Sequence, residues 1–401
     1  MFTYKKENFN VPIKSWIPKE AYDADLAMVE QCENVAKLPF SFHHITLLPD
    51  GHQGYGMPIG TVAALDGCIV PYMVGADIGC GMCAVKTSLT DISQDNLKKI
   101  LSEICKVVPL GRNWHKEPQD EKLMPKDDNW LNSIPVVKKE YSNARRQLGT
   151  MGGNNHFIEI QKGSDGFIWI MLHSGSRNLG YKVANHYNKE AIRANMLWHT
   201  KVDDTVDLAF LPVSSDLGKM YMQEMEYCVK FALANRKLMM SRIVDIFSKA
   251  FPLSKGLEFD PMKDMINIAH NYARWENHYG KNVIVHRKGA TSAKKGEIGI
   301  IPGSMGSHSY IVEGLGNPES FNSCSHGAGR QMGRGVAVRT LDLKTVQNNL
   351  DAKGVIHGLR NQTDVQEAPE CYKNIDTVMA NQRELVKPLV ELTTLGVIKD
   401  I

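Results

Sequence analysis

The stretch from 54 to 86 sets the strongest constraint on the fold. It threads short runs of β-branched and small apolar residues (TVAAL, CIVPYMV, CAVKTSL) between glycines. Runs so brief and so often punctuated suit buried strands joined by tight turns. A helical pattern occupies 91–106, DISQDNLKKILSEICK. There Asp91 can cap the first turn, and Leu97, Ile100, Leu101, Ile104 and Cys105 share a face. FIWIMLH at 167–173 reads as a strand ending in a glycine turn. Residues 219–249 read as the longest helix, with Tyr221, Met225, Cys228, Ala232, Met239, Ile243 and Ile246 at helical spacing. Residues 110–135 read as an irregular surface loop, and from 281 onward short strands alternate with glycine-rich turns. No internal repeat or linker divides the 401 residues. The expectation is a mixed α/β (α+β) fold in a single compact domain, 1–401.

Charge narrows the partners. Lys plus Arg number 47 and Asp plus Glu 44, a net charge of +3. That is too weak for a nucleic-acid coat or a membrane-surface protein, but it leaves room for a local basic groove. The most apolar stretch, 57–84, is interrupted by Asp66 and Asp77, so no membrane span is expected. MFTYKKENFN has no apolar run after its lysines and does not read as a signal peptide. Eight scattered cysteines suit reduced thiols in a cytoplasm better than a disulfide framework. Cys80 and Cys83 form a lone CxxC without the second pair of a structural zinc site.

Several histidines sit beside glycine rather than on helix surfaces. VGADIGCGMC places Asp77 and Cys80 three residues apart in a glycine turn, where both side chains can point into one cavity. GGNNHFIEI adds His156, LHSGSRNLG adds His173, and IAHNYARWENH adds His270 and His278. A histidine beside glycine is more often structural, and an Asp before a glycine is usually a turn-former. Five ligands (Asp77, Cys80, His156, His173, His270) exceed one tetrahedral site and suit two metals bridged by a thiolate. Ligand softness by itself favours zinc.

Two further segments resemble phosphate cradles: IPGSMGSHSY at 301–310 and SCSHGAGRQMGR at 323–334. Arg330 and Arg334 are four apart, so on one helix they would meet phosphate together. His326, at the entry to the second cradle, is a candidate nucleophile toward phosphorus; the plainer reading is a hydrogen bond to one phosphate. HRKGAT supplies His286, Arg287 and Lys288, which read equally as a backbone-tracking patch or a solvated loop.

Taken together, these motifs resemble the RtcB family of RNA-splicing ligases. The matching segments are LPDGHQGYGMPIG, GADIGCGM, GTMGGNNHFIEI, HSGSRNLG, AHN, HRKGAT, PGSMGSHSYIV, SHGAGR and a terminal VIKD, in family order along nearly the whole chain. The resemblance implies the family's own fold and a GTP- and manganese-dependent ligase. Such an enzyme joins RNA ends bearing a 3′-phosphate or 2′,3′-cyclic phosphate to 5′-hydroxyl ends, in tRNA splicing or RNA repair. It implies that Asp77, Cys80 and His156 hold one Mn²⁺, that Cys80, His173 and His270 hold a second, and that His326 becomes guanylylated. It implies a nucleotide surrounded by Asn155, His156, Phe157, Ile158, Glu159, His270, Asn271, Pro302, Gly303, Ser304, Met305, Ser309, Gly327, Ala328, Gly329 and Lys399, with Tyr372 near the base. An archease-like activating protein is a partner the resemblance leaves open. PDGH at 49–52 in place of the commoner PDVH, and Gly333 in place of a common serine, mark a divergent branch. The alternatives are a metal-dependent phosphoesterase that opens cyclic phosphates without sealing, and a non-catalytic RNA-end binder.

Overall fold

A computed structural model describes residues 1–126, 134–200, 202, 204–251 and 263–400. Two sheets carry the architecture. The first has six strands in the order Phe2–Tyr4, Ile13–Ser15, Ser41–Tyr55, Met57–Leu65, Lys281–Lys288 and Asn271–His278. Its one parallel pairing is Ile13–Ser15 on Ser41–Tyr55. The second has seven strands: Ile266–Ala269, Gly81–Lys86, Ile168–Ser174, Phe157–Gly163, Val386–Lys399, Ser309–Gly314 and Ile298–Ile301, all antiparallel. The glycine-punctuated stretch therefore does form strands, split between the sheets: Met57–Leu65 in the first, Gly81–Lys86 in the second.

The longest helix is Asp216–Ala250, begun by Ser215, whose side chain accepts from the Gly218 N–H. Its C-terminal half packs Met239, Met240, Ile243 and Phe247 on Cys83, Val85, Ile158 and Ile170 of the seven-stranded sheet. Its N-terminal half packs Tyr221, Met225 and Phe231 with Val183 and Tyr187 of the helix Arg177–Leu197. Burial of this kind contributes about 1.5–3 kcal/mol per large apolar side chain. Among the described residues no helix is long and apolar enough to cross a membrane.

Three local expectations need correction. The helix expected at 91–106 runs Gln94–Val107 and is capped by Ser93, which accepts from the Asn96 N–H; Asp91 instead accepts from the Ile92 N–H next to it. Cys105 is exposed, because it falls at the edge of the face that buries Leu97, Ile100, Leu101 and Ile104. Between 334 and 380 the chain makes three short helices (Arg334–Thr340, Leu343–Ala352, Ile375–Ala380), the last two begun by the side-chain caps Asp342 and Asn374. Within 110–135 a single 3₁₀ turn, Glu121–Leu123, interrupts irregular chain; residues 127–133 of that loop lie outside the described residues.

Candidate metal and nucleotide site

Five side chains from distant turns meet beside the seven-stranded sheet. One donor atom each from Asp77, Cys80 and His156 lies within 4.8 Å of the others, and the same holds for Cys80, His173 and His270. The Cys80 thiol is the shared corner, 3.3 Å from His156 Nε2 and 3.2 Å from His173 Nε2. His173 Nε2 lies 3.3 Å from His270 Nε2. Gly175 permits the approach, since a Cβ there would stand 2.2 Å from the Asp77 carboxylate.

This donor set fits a divalent transition metal. His173 donates its Nδ1–H to the Asn155 carbonyl at 3.1 Å, which leaves Nε2 bare and aimed into the cluster. His270 Nδ1 is buried with no partner. Burial holds the imidazoles of His173 and His270 well below the usual histidine range and pushes the Cys80 thiol well up, with the Asp77 charge adding to the latter. Neutral imidazoles and an undissociated thiol crowd around one carboxylate, and a divalent cation is the species that would make the thiolate stable there. Asp77 is already ionised: burial opposes its charge, but His156 at 3.1 Å and the nearby Arg177 bring it down to about 2.

The long helix braces these turns from behind. Arg236, fully buried, donates to the carbonyls of Gly79 (2.9 Å) and Ser174 (2.8 Å) and to Asn267 (2.7 Å). Asn235 accepts from the N–H groups of Gly149 and Thr150 and donates to the Gly175 carbonyl. Two adjacent residues thus hold the turns after Asp77 and His173 and the approach to His156. Asn271 ties the same wall together, donating to the Asp77 carbonyl (3.0 Å) and accepting from Gly289 N–H (2.8 Å).

Next to the cluster lies a cavity. His326 stands between them, its ring centroid 4.8 Å from that of His270. Asp50 accepts from His326 twice, from the backbone N–H at 3.1 Å and from ring Nδ1 at 2.6 Å, which leaves Nε2 as the free nitrogen. Gly329, at φ +75°, lets the two loops touch, because a Cβ there would stand 2.2 Å from the Asp50 carbonyl. The cavity is lined by Asn155, Phe157, Glu159, Pro302, Gly303, Ser304, Met305, Gly327, Ala328, Gly329, Tyr372 and Lys399, together with His52, Ile59, Arg330 and Arg334. Four of these converge on buried Glu367: Arg330 at 3.1 Å, Arg334 at 3.3 Å, Lys399 at 3.0 Å, and the Tyr372 hydroxyl. Burial opposes the Glu367 charge, yet Lys399, Tyr372 and the arginines carry its carboxyl down to about 2. Glu159 has the opposite balance. Burial pushes it up to about 7 against Lys399, Thr394 and Gln161.

Not every expected residue reaches this place. Ile158 points to the other face of its strand from Phe157, into the core with Cys83; because Cys83 lies in that core and Cys80 in the cluster, the CxxC makes no site of its own. Ser309 sits behind the Pro302–Met305 turn, accepting from Gly303 N–H. Arg330 and Arg334 share Glu367, but not one helix: Arg330 bridges Tyr372 in extended chain and Arg334 begins the next helix. His278 lies apart, 2.9 Å from Glu276. HRKGAT is neither a phosphate-tracking patch nor a solvated loop. It ends a central strand of the six-stranded sheet, where Arg287 is fully buried against Glu276, His286 accepts from Val70 N–H, and Lys288 donates to the carbonyls of Tyr55 and Tyr72.

Comparison with known proteins decides the family. Residues 31–400 match the family described as tRNA-splicing ligase RtcB. The chain belongs to the RtcB family. It is 36% identical over 404 residues to the RNA-splicing ligase RtcB of Escherichia coli K12, covering 97% of this chain and 98% of the relative. It is 30% identical over 439 residues to the tRNA-splicing ligase RtcB of Thermococcus kodakarensis (92% and 90%), and 32% over 443 residues to that of Aeropyrum pernix (92% and 90%). The buried cysteine and histidine cluster is in keeping with RtcB membership, and so is the classification as an RNA ligase.

Proposed function

We propose that the protein is a GTP- and Mn²⁺-dependent ligase. It would join RNA ends bearing a 3′-phosphate or 2′,3′-cyclic phosphate to 5′-hydroxyl ends through a guanylylated His326. The observation that carries this reading is His326 held by buried Asp50, with its free Nε2 between a five-donor cluster and a glycine-lined cavity. Asp77, Cys80 and His156 would hold one metal and Cys80, His173 and His270 the other, and the pair would supply positive charge to phosphate oxygens.

The remaining chemistry belongs to this chain's own residues. Asp50 fixes the tautomer that leaves His326 Nε2 unprotonated. Nε2 attacks the α-phosphorus of GTP; a P–N bond forms, the bond to the bridging oxygen breaks, and pyrophosphate leaves. A cyclic phosphate is first hydrolysed to a 3′-phosphate. An oxygen of that phosphate displaces His326 and takes the GMP. The 5′-hydroxyl then attacks the activated phosphorus, and GMP departs. The glycine turns at 302–305 and 327–329 offer backbone N–H groups, and Arg330 and Arg334 offer charge, where negative charge grows. Glu159, Tyr372 and Lys399 would surround the base. The same reading places the chain in tRNA splicing or RNA repair in the cytoplasm, with eight free cysteines in support.

Incubation with Mn²⁺ and GTP labelled at the α-phosphate tests the proposal. The expected product is an acid-labile adduct on the peptide holding His326, absent from His326→Ala. Cyclic-phosphate opening by the metal-loaded protein with no adduct would leave only a phosphoesterase.

A further inference from the structure

One edge of the metal cluster carries surface that the chemistry above does not use. Tyr55 and Tyr181 are 77% and 53% exposed. The backbone brings them to the same edge. Tyr55 ends the strand Ser41–Tyr55, and Tyr72 lies in the short helix Pro71–Val74 that leads to Asp77. The buried Lys288 ammonium donates to both their carbonyls, at 3.0 Å to that of Tyr72. The Tyr72 hydroxyl reaches Asn185, on the helix Arg177–Leu197, at 3.4 Å. Tyr181 stands one helical turn before Asn185 on that helix, and burial, then Asp207, then Tyr181 hold the Tyr72 phenol up. Tyr181 stands one helical turn beyond Arg177, whose guanidinium lies 3.3 Å from His156.

The helix continues this surface outward. Lys182, His186 and Lys189 follow at spacings of four and three, all exposed. They form a stripe of two turns, about 10 Å long. Among the described residues neither lysine is held in an ion pair, whereas Arg193 further along is tied to Glu190 at 3.0 Å. Glu190 is the helix's single acidic residue.

We propose that Tyr55, Tyr181 and the Lys182–His186–Lys189 stripe form the track on which an unpaired RNA end approaches the metal cluster, its bases stacking on the two rings and its phosphates meeting the stripe. The proposal rests on the ligase reading of the cluster and adds where its polymer lies. Exposed aromatic rings beside cations are the pattern for single strands, because a duplex hides its base faces. A protein partner fits less well, since lysine is depleted at the centre of protein interfaces.

Fluorescence anisotropy with a 3′-phosphorylated single-stranded RNA oligonucleotide and the full chain tests the track, with the labelled-GTP adduct measured on every variant. The double variant Tyr55→Ala/Tyr181→Ala is expected to bind the single strand roughly tenfold or more weakly. It should bind a duplex of equal length as the parent does, and Tyr55→Phe/Tyr181→Phe should restore affinity. Lys182→Gln/Lys189→Gln is expected to flatten the slope of log K against log salt by about 1.4, or ~0.7 per lost phosphate contact. All variants should form the His326 adduct. Single-strand affinities within twofold of the parent, or equal losses on single strand and duplex, overturn the track. A parent protein that forms no adduct overturns the ligase reading instead, and the binding comparison still judges the track.

Discussion

Two buried polar clusters, one within a pair of strands and one just before it, differ in whether their polar atoms are fully partnered. Within Asn271–His278 and Lys281–Lys288, Glu276 accepts from Arg287, Arg274 and His278, and Arg287 also donates to Ser323 and the Phe321 carbonyl. Burial opposes the Glu276 charge, but Arg287 foremost, then His278 and Arg274, hold the carboxyl far below its usual range. Just before these strands, His270 meets Cys80 and His173 at metal-ligating distances, with its Nδ1 buried and unpartnered. Both clusters are rich in ionisable groups. The first pairs its charges within itself, so it reads as architecture; the second gathers metal-ligating atoms and leaves a buried ring nitrogen unpartnered, so it reads as a site.

Changing each cluster should separate them. Cys80→Ala removes the corner common to both ligand sets. Calorimetry should show divalent-metal affinity falling by more than the roughly 10–100-fold that loss of an outer-sphere partner costs, with sealing abolished. Asp50→Asn keeps the shape but releases the tautomer of His326, and the rate of adduct formation should fall by about 10²–10⁴ while metal stoichiometry is kept. Arg287→Met strikes the first cluster. It leaves Glu276 buried and underpaired, and urea unfolding should show a loss of about 3–5 kcal/mol, with metal stoichiometry unchanged in the folded fraction. Equal damage to metal binding from Arg287→Met would erase the distinction.

The smallest effect concerns Glu159. Its carboxyl lies at about 7 in the fold against 4.5 as the reference value. A raised acid contributes stability that is fully present below the unfolded value and is lost as pH rises through the folded one. Without nucleotide, Glu159→Gln should therefore be more stable than the parent at pH 8, by about 2–3 kcal/mol, with the gap closing toward pH 5. A pH-independent difference in thermal unfolding would show that Lys399 already compensates the charge.

The legible part of the molecule was what the chain writes locally. Asp77, Cys80, His156, His173 and His270 each stand in or beside a glycine turn or at a strand end, and the structure gathers all five. Asp50 escaped because an Asp before glycine reads as a turn-former, and its partner lies 276 residues away. Asn235 and Arg236 escaped because they sit mid-helix, where periodicity sorts apolar from polar but says nothing of a buried arginine that caps carbonyls. HRKGAT misled because charge type was visible and strand order was not; a central strand buries both faces. Alternation along Phe157–Gly163 sends Ile158 away from Phe157 and Glu159, a signal already present in the sequence.

His270 occupies the single residue between Ile266–Ala269, in one sheet, and Asn271–His278, in the other. Cys80 and His173 border the seven-stranded sheet, while Asp50, on the six-stranded one, steers His326. The five-donor cluster and His326 therefore straddle a joint. A few degrees of twist between the two slabs would alter the gap between the His326 imidazole and the five-donor cluster, so under the proposed function the rigidity of that joint would set how well His326 is aimed.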